Sequence, residues 1–134
     1  MRKTINALVL CAGLALAGCA EFKVVTETFE TVTTTTVPAE VVIPAANTFD
    51  ILKAGATNYG QYCINNHMTP SICGALTRRV VIKSVRSGTA ARNQLKGSVR
   101  NGTPAAASIY NVLVTAVSSL KNTPAANAQF VETK

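Results

Sequence analysis

Three rhythms of apolar and polar residues follow one another along this chain. Residues 7–17, ALVLCAGLALA, are almost wholly apolar. Val25, Glu27 and Phe29 then alternate with Thr26, Thr28 and Glu30, a period of two that suits an extended backbone. From Thr48 onward the spacing lengthens to that of a helix. Thr48 or Asn47 can cap a helix that begins near Phe49-Asp50, and Ile51, Leu52, Tyr59, Tyr62 and Cys63 fall near one face of it. Gly55 and Gly60 weaken this helix but permit a close neighbour. Asn65 to Pro70 reads as a turn.

A second helix starts at Thr69 or Ser71, with Pro70 tolerated in its opening turn. Ile72, Leu76 and Val80 supply its apolar stripe at steps of four. Ser87-Gly88 predicts a break or kink, with Thr89 capping a continuation through Ala90, Leu95 and Val99, and Asn101-Gly102 ends it. Thr103 followed by Pro104 is a cap-and-first-turn signal for a third helix, whose stripe is Ile109, Leu113, Ala116, Val117 and Leu120. Thr123-Pro124 repeats that signal and predicts a short last helix. The expected fold is mainly α: a small antiparallel three-helix bundle stapled by one disulfide, after an extended Thr/Val-rich tether. Its expected divisions are 1–18, 19–47, 48–122 and 123–134. The tether has a rival, because residues 22–33 and 40–43 also suit two short strands, although a lone hairpin is marginal in water.

The apolar run at the start changes the picture. Eleven residues, 7–17, are too few for a bilayer-spanning helix, which needs about 20. With Arg2 and Lys3 before it and small residues after, the run reads as a secretory leader. Leu16-Ala17-Gly18-Cys19 resembles the lipobox of bacterial lipoproteins, and the likeness extends over about the first 20 residues in order, spacing, leader length and basic start. The resemblance implies cleavage before Cys19, a diacylglycerol on its thiol and an acyl chain such as palmitate on the freed amine. Several acyl chains make an anchor stable where one does not. Ala20 follows the cysteine. In enterobacterial lipoproteins an aspartate there retains the protein at the inner membrane, so the resemblance implies an outer-membrane anchor facing the periplasm.

Cysteine use agrees with that compartment. On that resemblance Cys11 leaves with the leader and Cys19 carries lipid, so Cys63 and Cys73 remain as an even pair and a disulfide is expected between them. His67, the single histidine, lies between them. Three ligands fall short of the four that structural zinc takes, so no metal or other cofactor is expected. A thiol nucleophile assisted by His67 conflicts with the disulfide.

The formal charge is +7, and its placement matters more than its size. Arg78, Arg79, Lys83, Arg86, Arg92, Lys96 and Arg100 all lie between residues 71 and 103, with no acidic residue among them. On a continuous helix, steps of about 100° put all seven within roughly half the circumference. Three readings stay open: a surface for an anionic envelope polymer, a phosphate-bearing lipid or an acidic protein; a solvated helix face; or contact with the acidic early segment, where Glu21, Glu27, Glu30, Glu40 and Asp50 face only Lys23. Nucleic acid is not an expected partner, since no aromatics are interleaved for base stacking. No catalytic residues are expected either: there is no Ser-His-Asp set and no glycine-rich phosphate loop. The expected function is that of a membrane-anchored, non-catalytic lipoprotein whose helical module binds another envelope component. The paired cysteines and helical hairpins also bear a resemblance to small lipoproteins encoded by phages. That likeness implies, as the alternative, a role in lysis or superinfection exclusion.

Overall fold

A computed structural model of the chain describes residues 28–66 and 70–131. The fold is mainly helical. A two-residue strand β1 (Thr36–Val37) leads into helix α1 (Ala39–Asn65), a single helical turn α2 (Pro70–Cys73) and helix α3 (Ala75–Asn101). A second short strand β2 (Ala105–Ala106) precedes helix α4 (Ala107–Lys121), a 3-10 turn (Pro124–Ala126) and a final helical turn α5 (Ala128–Val131). The three long helices pack against one another, and the final turns lie on α1. The two strands pair antiparallel, Thr36 with Ala106 and Val37 with Ala105.

Helix α1 begins ten residues before the expected start at Phe49, within the segment 19–47 expected to be a tether. Residues 40–43 are helical and form no strand. The reason lies in its buried residues: Val42, Ala45, Phe49, Leu52, Ala56, Tyr59 and Cys63 advance by alternate steps of three and four. That stripe outweighs the modest helix penalty of Val41, Val42 and Ile43. It also outweighs Pro44, which lies inside the helix and withholds the N–H that the Glu40 carbonyl would otherwise accept. Upstream, residues 28–35 are docked. Phe29 and Val32 pack on the core. The Val32 N–H donates to Asn111 Oδ1 at 2.9 Å, while Asn111 Nδ2 donates to the Val32 carbonyl at 2.8 Å. Residues 19–27 of the expected tether lie outside the described residues.

Helix α3 departs from expectation in three respects. It is continuous through Ser87-Gly88, so Thr89 caps nothing. Its opening is split, because Gly74 separates α2 from α3. Its buried stripe is not Leu76 and Val80 but Val81, Ser84, Gly88, Ala91 and Leu95. These residues again advance by three and four, and the small size of Ser84, Gly88 and Ala91 at the middle of the stripe is what lets α1 come close. The ring of Phe49, fully buried, occupies the space a side chain at Gly88 would need. The predicted stop at Asn101-Gly102 does occur, with Gly102 left-handed at φ +63° and its N–H donating to the Ser98 carbonyl. Thr103-Pro104 does not open the next helix. Ala105 and Ala106 are drawn into pairing with β1 instead, and α4 starts at Ala107. A local capping preference of about 1 kcal/mol is small enough for such tertiary pairing to override.

One end of the molecule is closed by the expected disulfide between Cys63 and Cys73, whose Cα atoms stand 5.5 Å apart. Tyr59 donates its hydroxyl to the Ile72 carbonyl at 2.8 Å beside it. Phe130 of α5 meets the rings of Tyr59 and Tyr62 edge-on, at 5.6 and 5.4 Å. Asn58 Nδ2 donates to the Phe130 carbonyl at 2.6 Å. Burial raises the pKa of Tyr59 above its ordinary value, against a smaller opposing pull from Arg78, and burial raises that of Tyr110. The unfolded chain therefore loses these protons first as pH rises, so stability falls above about pH 10, the ordinary tyrosine range. Urea unfolding at pH 8 and at pH 10.5 checks this: Tyr110→Phe should flatten the decline.

Candidate anionic-surface site

The seven basic residues expected to form one face divide into two groups. Arg78 and Arg92 serve the fold. Arg78 Nε donates to the Cys73 carbonyl at 3.0 Å, tying α3 back to the disulfide. Arg92 places Nε and Nη2 at 3.2 and 3.1 Å from Asp50 Oδ2, clamping α3 to α1. This pair is partly exposed, so it contributes at most about 1 kcal/mol.

Arg79, Lys83, Arg86, Lys96 and Arg100 are exposed. Steps of 100° put Arg79, Lys83 and Arg86 within about 60° of one another, on the side of α3 opposite Val81, Gly88 and Leu95. Arg79, Lys83 and Arg86 line a shallow groove with Ile82 and Ser87. Lys96 and Arg100 lie further along the helix and to one side.

Electrostatics disfavour this arrangement in isolation. Arg79 precedes Lys83 at the like-charge i, i+4 spacing, which destabilises a helix by about 0.2–0.5 kcal/mol. Arg78 and Arg79 also stand in the first turns of α3, at the positive end of its dipole. No acidic residue occurs in the sequence between Asp50 and Glu132 to offset them. An anion placed over Arg79, Lys83 and Arg86 would relieve both conflicts.

Leu76, Val80 and Ile82, the first two of which the sequence reading placed in the core, are 77%, 45% and 50% exposed. They flank the cations on the same outer side of α3. The signal that marks them is their spacing. Leu76 and Arg79 are three apart and Arg79 and Ile82 are three apart, so the apolar and basic residues share one surface.

The lipobox residues Leu16, Ala17, Gly18 and Cys19 lie outside the described residues, as does His67. Among the described residues, no group of three or more His, Cys, Asp or Glu side chains could hold a metal ion, and no helix is long and apolar enough to cross a membrane. No family model matches the chain, and no curated protein or solved structure matches it either.

Proposed function

We propose that this chain is a lipid-anchored, non-catalytic component of the bacterial envelope, held at Cys19 in the outer membrane and facing the periplasm. Its helical module binds another envelope component through the outer face of α3. The observation that carries this reading is the exposed trio Arg79, Lys83 and Arg86, like-charged, paired with no acid among the described residues and bordered by exposed apolar side chains. We read the module as an antiparallel three-helix bundle. Phe49 meets Gly88 and Asp50 meets Arg92, whereas Cys63 meets Cys73, so residue numbers rise along α1 as they fall along α3. The short link of residues 102–106 returns the chain along α3 as α4. A rigid bundle holds the basic face in a fixed geometry, and anchoring keeps it at high local concentration near its target, so weak contacts suffice.

The anchor is tested by growing cells that express the chain with labelled palmitate. The wild type should take up label and fractionate with membranes, and Cys19→Ala should take up none. Equal labelling of both chains overturns the anchoring claim.

A further inference from the structure

The described chain begins beside the last turn of α4: Thr28 and Phe29 share a cleft with Val117, Ser118 and Lys121. In the antiparallel reading, equal numbers of residues on either side of the 102–106 link place that turn level with the stretch of α3 near Arg86. Residues 20–27 alone separate Cys19 from Thr28. Even fully extended, at about 3.6 Å per residue, that connection holds Thr28 within about 30 Å of the lipidated cysteine. A bundle on so short a lead cannot stand far from the surface that anchors it.

From that level back toward its start, between Arg86 and Leu76, α3 carries three exposed cations and three exposed apolar side chains on one side. Such a mixture is the signature of a helix lying on a charged lipid surface, with basic side chains at the phosphates and apolar ones among the upper acyl carbons. A purely electrostatic site for a soluble acidic polymer has no use for Leu76, the most exposed large apolar residue among those described. Resting on the anchored reading above, we infer that the α3 face formed by Leu76, Arg79, Val80, Ile82, Lys83 and Arg86 docks on the anionic phospholipid surface of the membrane that holds the chain. The lipid at Cys19 and this face make a two-point attachment. That attachment sets the orientation of the bundle and turns α1 and α4 toward the periplasm.

The chain contains no tryptophan, so Ile82→Trp supplies a single fluorescent reporter within the face. Leu76→Trp gives a second reporter should the first disturb folding. The full chain, purified as cells process it, is reconstituted into vesicles of phosphatidylcholine with an equal part of phosphatidylglycerol, and into phosphatidylcholine alone. The expected result is a blue-shifted emission, quenched by shallow brominated lipids, in the anionic vesicles only. The shift should disappear in high salt and when Arg79, Lys83 and Arg86 are changed together to Gln. A reporter at Val112→Trp, on α4, should remain aqueous throughout.

Palmitate labelling of the same preparation separates the two claims. An unlabelled chain whose reporter still shifts on anionic vesicles supports the docking face and removes the anchor. A labelled chain whose reporter stays aqueous overturns the docking face and leaves the anchor standing. Shielding that grows with chain concentration without vesicles overturns it in favour of a second copy. Shielding that requires added polyglutamate in place of lipid overturns it in favour of an acidic protein.

Discussion

Gly88→Ala should lower the free energy of unfolding by about 1–3 kcal/mol, the range for overpacking a well-filled core. The same exchange on an exposed helix face would raise stability by about 1 kcal/mol through helix propensity, so the sign of the result is itself diagnostic. The added methyl would stand where the edge of the Phe49 ring now lies. That ring is fully buried and surrounded by core residues, so it has no open direction in which to retreat. Phe49→Ala alone should cost about 3–5 kcal/mol by leaving a cavity. The double variant should cost less than the sum, since the new methyl occupies part of that cavity, and the coupling should fall in the range of about 0.5–3 kcal/mol. Urea midpoints of the two single variants and the double variant measure this. Additive effects would mean that Phe49 and Gly88 do not share the contact described here.

Replacing Cys63 and Cys73 together by Ala should cost about 3 kcal/mol, the chain-entropy value for a loop closed across ten positions. That is a large fraction of the 5–15 kcal/mol typical of a whole domain. The loss should be uneven. The disulfide secures the end where Tyr59 reaches the Ile72 carbonyl and Arg78 reaches the Cys73 carbonyl. Amide exchange should therefore accelerate in the last turns of α1 and the first turns of α3, and remain slow in the middle of α4 at Leu113, Val117 and Leu120. Reduction of the wild-type chain should reproduce the same pattern without altering side-chain volume. Uniform acceleration along all three helices would show that the bond stabilises the fold as one unit and not this end in particular.

Much of the helical content was legible from spacing alone. The stripe of α4 and the stop at Gly102 follow from sequence, because a third-turn periodicity and a left-handed glycine are local properties. The pairing of Cys63 with Cys73 was legible only through the lipobox resemblance, which sets Cys11 and Cys19 aside and leaves these two. The start of α1 was not. Val41, Val42, Ile43 and Pro44 each argue locally against a helix, and their argument loses only because Val42 and Ala45 complete a stripe that α3 and α4 cover. The buried face of α3 was misread for a related reason. Leu76 and Val80 are larger and more apolar than Ser84, Gly88 and Ala91, so a search for apolar residues selects the wrong side. What a close-packed interface needs at that point is small volume opposite Phe49.

The basic face shows the same division. That seven cations lie without an acid between residues 71 and 103 is a property of the sequence. That Arg78 and Arg92 are consumed within the fold, leaving Arg79, Lys83 and Arg86 outward with Leu76 and Ile82, depends on partners on other elements. Sequence by itself determined what is local or covalent: the lipobox likeness, the cysteine pairing, the helical periods and the charge imbalance. Only the tertiary structure decided which side of each helix is buried, where α1 begins, and which cations remain available. Burial is a relation between segments far apart in the chain, and no window along one segment contains the surface that will cover it.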